Sequence, residues 1–232
     1  MPDKLFSDVT DVFHDWDGVY VHYKDFEAFW LTSAKIASEE GIRCCLTSAA
    51  EEIKAVWVNS QKTEKPYETA FDVLHQEFGL DYEVCFKRHH EILLSDYAHT
   101  FHMTPEVHSY LKPLNRWSHH VLTHANHYWV DVWSHKNKTK LLFDTFYSCS
   151  GDAIGRKDAA CLSVYRHLEE LHDRLPGQCL LLDDSLPNLK QAYDAGWKTV
   201  WIKGSKTELQ PEYVDASYSC VTEFLKDLAR SA

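Results

Sequence analysis

The sequence predicts an α/β protein with a parallel sheet and a helical insertion after its first strand. From about residue 117 onward, short apolar segments alternate with amphipathic ones, which is the pattern of βαβ units. Near the N-terminus, the apolar run VTDVFH (9–14) stops at acidic residues, as a strand does at the ligand-binding edge of a parallel sheet. Roughly 90 residues between these regions have helical spacing and almost no strand signal.

The insertion is expected to cover residues 21–115, with an α/β core built from residues 1–20 and 116–232. Apolar residues fall on one helical face in FEAFWLTSAKIASEEGI (26–42), and Gly41 is a suitable stop. Further helical segments are AAEEIKAVWV (49–58), YETAFDVLHQEFGL (67–80) and VCFKRHHEILLSDYAHTF (84–101).

The C-terminal half alternates strands and helices. Predicted strands are HHVLTHA (119–125), QCLLLDD (178–184) and KTVWI (198–202), with LFDTFYS (142–148) a short strand or loop. Predicted helices are HYWVDVWSH (127–135), ACLSVYRHLEELHDRL (160–175), NLKQAYDAGW (188–197) and TEFLKDLARSA (222–232).

Charge and composition argue against several classes of partner. The chain has 24 basic and 35 acidic residues, a formal net charge of −11, and no basic stripe, so we expect no nucleic-acid partner. No apolar run approaches the roughly 20 residues of a membrane helix, and acids stand where a signal peptide would be apolar. Seven Cys without a CxxC pair indicate reduced thiols. We therefore expect a soluble, cytoplasmic protein.

Two predicted strand ends carry paired acids, Asp15 with Asp17 and Asp183 with Asp184. The carboxyl ends of parallel strands can converge, and clustered carboxylates repel one another unless a hard divalent cation lies among them. Mg²⁺ suits such oxygen ligands. The alternative, that each acid only caps the helix or turn that follows, is the better explanation for one Asp but not for two pairs.

Four segments in order resemble the haloacid dehalogenase-like (HAD) hydrolase superfamily: HDWDGVY (14–20), VLTHA (121–125), GRKD (155–158) and LLLDDSLPNLKQAYDAGWKTVWI (180–202). The resemblance implies a HAD-like Rossmannoid core with an inserted all-helical (C1-type) cap domain. Within the insertion, residues 67–97 look like the pyrimidine 5′-nucleotidase-like branch.

The resemblance also implies catalytic roles. Asp15 would be the nucleophile that forms an aspartyl-phosphate, and Asp17 the general acid and then base. Thr123 would hydrogen-bond a phosphoryl oxygen, and Lys157 would neutralise charge on the nucleophile and phosphoryl group.

The same resemblance implies a metal site and its surroundings. Asp15, the backbone carbonyl of Asp17, and Asp184 would hold Mg²⁺, with Asp183 binding directly or through water. Ser185 and Asn188 would orient the loop around the metal. The implied substrate- or phosphate-binding residues are Gly18, His124, Ala125 and Arg156.

Some residues depart from the family pattern. His124 stands where Asn is usual, and its charge is expected to titrate near neutrality. Lys157 is followed by Asp158 rather than Pro, and Arg156 could share the phosphate contact. His119 and His120 lie on a predicted strand and should point to opposite faces. The 15 His show no zinc-site spacing, so most are expected to be surface or half-buried polar residues.

The sequence thus predicts a Mg²⁺-dependent, nucleotidase-like phosphatase that hydrolyses a small phosphorylated metabolite through an aspartyl-phosphate. A phosphomutase of the same superfamily and a catalytically silent binding or regulatory protein on the same fold are the alternatives. The sequence does not fix the oligomeric state or the physiological substrate.

Overall fold

The structure is a computed structural model that describes residues 6–24, 27–42, 45–60, 62, 70–104, 107–125, 127–136, 138–149, 154–158 and 160–231. The chain divides into two units, one formed by Met1–His22 with Met103–Ala232 and the other by Tyr23–His102. In the described residues the strands are β1 (Asp11–His14), β2 (Val21–Tyr23), β3 (Phe101–Met103), β4 (Ser118–Thr123), β5 (Thr145–Ser148), β6 (Cys179–Asp183), β7 (Lys198–Ile202) and β8 (Ala216–Tyr218). The α-helices are α1 (Glu27–Glu39), α2 (Leu46–Ser60), α3 (Ala70–Phe78), α4 (Tyr82–Asp96), α5 (Val107–Leu111), α6 (His127–Lys136), α7 (Ser163–His172), α8 (Leu186–Asp194) and α9 (Val221–Arg230).

A parallel sheet in the order β5-β4-β1-β6-β7-β8 is the centre of the first unit. Strand β1 lies between β4 and β6, and Phe13 is paired with both His120 and Leu181. All five residues of β6 are buried, as expected for a central strand covered on both faces. The sheet therefore brings the ends of three strands that are distant in sequence to one edge, which confirms the predicted α/β architecture.

Amphipathic helices of the first unit bury their apolar faces in the core. Helix α7 buries Val164, Tyr165 and Leu168, and the Tyr165 ring packs edge-on against Trp197 at 5.0 Å. Each fully buried side chain of this kind stabilises the fold by about 1.5–3 kcal/mol relative to an exposed one. The helix after the QCLLLDD strand, α8, packs directly against β6 and β7.

The second unit contains helices α1 to α4 around an apolar core of its own. Trp30 is buried in this core, and its ring lies 5.6 Å from that of Trp57. Phe29 and Phe71 make an edge-on ring contact at 6.0 Å, so these aromatics contribute to packing.

The unit boundary differs from the insertion expected at residues 21–115, because Met103–Leu111 group with the first unit. Helix α5 packs against the C-terminal helix α9, which explains this grouping. The short strands β2, β3 and β8 were not predicted, since three residues are too few to show periodicity. In the described part of the chain, none of the helices has the length and apolar character needed to cross a membrane.

Several histidines are more buried than the sequence suggested, namely His14, His89, His90, His119 and His120. Burial is tolerated because each ring finds a hydrogen-bond partner. The His14 Nε2 and His119 Nδ1 atoms are 2.9 Å apart, whereas His120 Nε2 is 3.0 Å from Asp11 Oδ1. The separate partners of His119 and His120 agree with their predicted placement on opposite faces of the strand.

Candidate active site

The carboxyl edge of the sheet gathers polar residues from three adjacent strands. Asp15 follows β1 directly, and its amide donates to the Leu182 carbonyl at 2.8 Å. Thr123 ends β4 and Asp183 ends β6, on either side of β1. This edge is where parallel α/β sheets bind ligands.

Lys157 is fully buried at this edge, and its ammonium has three acceptors. Its Nζ atom donates to Asp15 Oδ1 and Asp183 Oδ2, both at 2.7 Å, and to the Leu122 carbonyl at 3.1 Å. These contacts use all three ammonium hydrogens. Burial lowers the pKa of Lys157, but the two carboxylates more than reverse this and leave the pKa raised. The lysine therefore stays charged throughout the neutral range.

Asp183 is held in place by donors on both of its oxygens. The Asn188 side-chain amide lies 3.1 Å from each oxygen, and the Ser185 amide donates to Oδ1 at 2.8 Å. The Tyr165 hydroxyl lies 2.7 Å from the Lys157 carbonyl and 3.0 Å from the Asn188 carbonyl. One phenol thus joins the segment carrying the lysine to the helix carrying the asparagine.

Three carboxylates surround this lysine, and their charge is only partly compensated. Asp15, Asp183 and Asp184 each offer an oxygen within 4.8 Å of the others. Burial and the charge of Asp183 raise the pKa of Asp15 well above its usual value, and raise that of Asp184 to about 6. The Lys157 ammonium and the Lys206 ammonium, which lies 3.7 Å from Asp184 Oδ2, balance two of the three carboxylates. Negative charge remains, so a divalent cation fits both this charge and the all-oxygen donor set.

The Asp17 carboxylate is hydrogen-bonded to helix α6, which follows β4. Its Oδ1 atom accepts a hydrogen bond from the Trp129 indole at 2.9 Å. The next residue, Gly18, has φ +81°, and a Cβ atom there would lie 2.5 Å from Cγ of Asp184. Glycine is required at this position for both reasons.

Other residues predicted for the site have their own local contacts. Thr123 Oγ1 accepts from the Ala125 amide at 3.0 Å, which leaves the threonine hydroxyl hydrogen to be donated. His124 Nε2 accepts from the Lys157 amide at 3.2 Å. Burial and the Lys157 charge lower the pKa of His124 to about 4, so it does not titrate near neutrality as the sequence suggested. Arg156 pairs with Asp158 through two hydrogen bonds of 2.7 Å.

Sequence reasoning missed Trp129, Tyr165 and the carbonyl of Leu122 as contributors to this edge. The aromatic character of HYWVDVWSH was a signal for Trp129, because that helix follows the second strand of the motif series. Tyr165 had no signal other than its place on the apolar face of α7.

No protein-family model and no curated protein matches the chain. Solved structures do match. A HAD phosphatase from Thermococcus onnurineus has a TM-score of 0.65 and 18% identity, covering 95% of this chain and 98% of that chain. YfnB from Bacillus subtilis, assigned as a HAD hydrolase and solved with bound magnesium, has a TM-score of 0.65 and 15% identity over 95% and 98% of the two chains. A protein from Thermotoga maritima assigned as a β-phosphoglucomutase has a TM-score of 0.62 and 16% identity over 96% and 99%.

These likenesses extend over nearly the whole chain and concern its fold. The chain has the HAD-like fold. The resemblance drawn from the four sequence motifs is therefore confirmed at the level of the superfamily fold, while the nucleotidase-like branch stays a prediction.

Proposed function

We propose that this protein is a Mg²⁺-dependent phosphatase that hydrolyses a small phosphomonoester through an aspartyl-phosphate on Asp15. The observation that carries the proposal is the buried Lys157 ammonium between Asp15 and Asp183, beside Asp184. A fully buried lysine shared by two strand-end carboxylates is suited to bind an anion that Asp15 attacks. The HAD-like fold supports this assignment.

In the first step, an oxygen of Asp15 attacks phosphorus while the bond from phosphorus to the substrate oxygen breaks. Asp17 donates a proton to the departing oxygen, which leaves as an alcohol. The Thr123 hydroxyl donates to a phosphoryl oxygen, and the Lys157 charge, held beside Asp15, offsets negative charge on the nucleophile and the phosphoryl group. Asp15 must be ionised to attack. Burial and Asp183 raise its pKa, so its ionisation at neutral pH would depend on the Lys157 ammonium and on the cation that these carboxylates would hold.

In the second step, Asp17 takes a proton from a water molecule that attacks the same phosphorus. The bond from phosphorus to Asp15 breaks, inorganic phosphate leaves, and both aspartates return to their starting forms. The Trp129 indole donates to Oδ1 of Asp17 and helps to position this carboxylate.

Asp15, Asp184 and the Asp17 carbonyl would hold the cation, with Asp183 direct or through water. Bound Mg²⁺ supplies charge neutralisation and orients phosphate oxygens. In this chain Asp183 also positions Lys157 and Asn188, since both side chains donate to it.

A phosphomutase is the second candidate, favoured by the fold likeness to the protein assigned as a β-phosphoglucomutase. A mutase would return the phosphoryl group to a second hydroxyl of the sugar instead of to water. Retention of phosphate on the sugar distinguishes the two activities.

The test is turnover of a panel of nucleotides and sugar phosphates with Mg²⁺ or with EDTA, using the native chain and Asp15→Asn. We expect phosphate release that EDTA and Asp15→Asn each abolish. Asp194→Asn, the same change at an exposed acid paired with Lys190, is the matched control and should retain activity. Release that survives EDTA or Asp15→Asn would refute the mechanism, and well-folded protein inactive on the whole panel would favour the silent binding protein.

A further inference from the structure

A second cluster of titratable residues lies at the other end of the central strands, away from the candidate active site. Asp11 is the first residue of β1, His120 lies in β4, and His172 is the last residue of α7. Asp11 and Asp15 are four residues apart along one strand, a separation of about 13 Å. The cluster is therefore outside the site proposed for phosphoryl transfer and has no part in that chemistry.

We propose that Asp11, His120 and His172 bind Zn²⁺, with water as the fourth ligand. The ligand atoms would be Oδ1 of Asp11, Nε2 of His120 and Nδ1 of His172, which all lie within 4.8 Å of one another. Two imidazoles and one carboxylate are a donor set that zinc favours. The acids at the other edge offer only oxygen, which suits Mg²⁺.

The spacing of these atoms matches a tetrahedral metal. His120 Nε2 lies 3.0 Å from Asp11 Oδ1, and His172 Nδ1 lies 3.7 Å from the same oxygen. Ligands at about 2.0–2.1 Å from zinc lie about 3.3 Å from one another in tetrahedral geometry. Both distances to Asp11 Oδ1 are thus within a few tenths of an ångström of this value, and the distance between the two imidazole nitrogens is at most 4.8 Å.

Outer partners orient all three ligands. The other ring nitrogens are held by hydroxyls, His120 Nδ1 by Thr145 Oγ1 at 2.7 Å and His172 Nε2 by the Tyr147 hydroxyl at 2.9 Å. The second oxygen of Asp11 accepts from Arg174 Nε at 2.6 Å and from Thr10 Oγ1 at 2.7 Å. Metal-binding histidines and carboxylates characteristically have such partners, which fix the ring orientation and the oxygen that faces the metal.

Protonation and access also suit a metal. Burial raises the pKa of Asp11, but hydrogen bonds from His120, Thr10 and Arg174 lower it by more than burial raises it. The net pKa is below its usual value, so this carboxylate is ionised at neutral pH. Burial and the neighbouring His120 lower the pKa of His172, which favours the neutral, metal-binding ring.

One side of the cluster is partly exposed to solvent. The His172 side chain is 14% exposed and that of Arg174 35%, whereas Asp11 is 1% exposed. An entering ion would therefore approach the buried carboxylate from the His172 side. Arg174 is partly solvated, so its charge is screened and its guanidinium can remain on the outer oxygen.

The rival explanation is a buried polar network in which Asp11 is satisfied by His120 and Arg174 alone. Both explanations account for the hydrogen bonds. Only a metal site needs His172 and the Tyr147 hydroxyl in order to bind an ion. A Zn²⁺ titration of the native chain and of variants at these residues therefore distinguishes the two explanations.

The test uses the full chain without a histidine tag, freed of metal with chelator and held in excess Mg²⁺ to saturate the all-oxygen site. Zn²⁺ is titrated by calorimetry, and Co²⁺ is used as a spectroscopic probe of coordination. We expect one equivalent to bind, with visible Co²⁺ bands typical of four-coordinate nitrogen and oxygen ligands.

Variants assign the site. His172→Gln should weaken Zn²⁺ binding at least about 100-fold, and Tyr147→Phe about 10-fold, because loss of an outer partner costs 10- to 100-fold. His167→Gln, on the exposed side of the same helix, is the matched control and should bind like the native chain. Thermal melts without zinc check that each variant is folded.

The proposal is overturned if the native chain binds no stoichiometric Zn²⁺ in excess Mg²⁺. It is equally overturned if folded His172→Gln and Tyr147→Phe bind Zn²⁺ as tightly as the native chain, or if Asp184→Asn abolishes the binding instead. Phosphatase activity is not read out, so the result is independent of the proposed function.

Discussion

The hydrogen bond from the Trp129 indole to Asp17 leads to a sharp kinetic prediction. Trp129 is 1% exposed, and the bond measures 2.9 Å. If Asp17 is the general acid, Trp129→Phe releases one of its oxygens and lets the carboxylate rotate from its position. The loss should then fall on the step that protonates the leaving group.

The size of the effect follows from the kind of bond that is lost. A hydrogen bond to a charged group contributes about 1.5–3 kcal/mol. At 1.36 kcal/mol for each factor of ten, its loss from the transition state slows the step about 10- to 150-fold. General acid catalysis contributes about 100- to 10,000-fold in total, so a variant that keeps a misplaced Asp17 should retain part of it.

The assay measures release of the leaving group in a single turnover, which isolates the first step from hydrolysis of the aspartyl-phosphate. An alkyl phosphate needs a proton on its leaving oxygen, whereas p-nitrophenyl phosphate departs as a stable anion. We expect Trp129→Phe to slow the alkyl substrate and to leave the aryl substrate nearly unchanged.

Trp133→Phe is the matched control, because it removes an indole from the same helix and leaves the bond to Asp17 in place. The two rings make an edge-on contact at 5.7 Å, so both changes disturb the same packing. Equal slowing of the alkyl and aryl substrates in Trp129→Phe, or the same selective slowing in Trp133→Phe, would refute the positioning role.

Three further outcomes follow from the first unit of the chain. Lys157→Met should lower the free energy of unfolding by about 3–5 kcal/mol in denaturant titrations at neutral pH, because it strands two buried carboxylates. Gly18→Ala should cost about 1–2 kcal/mol of stability from its φ of +81° and should abolish turnover, because the added methyl overlaps the Asp184 carboxylate. The pKa of Asp11 is lower in the folded than in the unfolded state, so its stabilisation of the fold is present above the unfolded pKa and is lost as pH falls below about 4. The melting temperature of Asp11→Asn should therefore fall less steeply with decreasing pH in this range than that of the native chain.

The parts of the site that could be predicted are those encoded by local pattern. The run of three leucines before Asp183 indicates a buried strand, and the acids that follow mark its functional end. Parallel pairing then requires Asp15 and Asp183 to share an edge, since β1 and β6 are neighbours. The HAD-like fold followed from the same motifs taken in order.

The parts that could not be predicted depend on contacts between distant segments. Trp129 lies 112 positions from Asp17, and no spacing rule links an indole to a carboxylate over such a distance. The neutral state of His124 depends on burial and on the nearby lysine, neither of which is visible in the letters around it. Nor does the sequence indicate that His172 lies beside Asp11, because one ends a helix and the other begins a strand.

The phenol of Tyr165 has a consequence for how this protein can change over evolutionary time. Its single hydrogen is shared between the carbonyls of Lys157 and Asn188, so the two segments are coupled without any direct bond between them. Substitutions at exposed positions can therefore change substrate preference while the two hydrogen bonds of the Tyr165 hydroxyl are retained. Substitution of Tyr165 itself would remove the contacts to both segments at once. We therefore expect few substitutions to be tolerated there, although the Tyr165 hydroxyl contacts only backbone carbonyls.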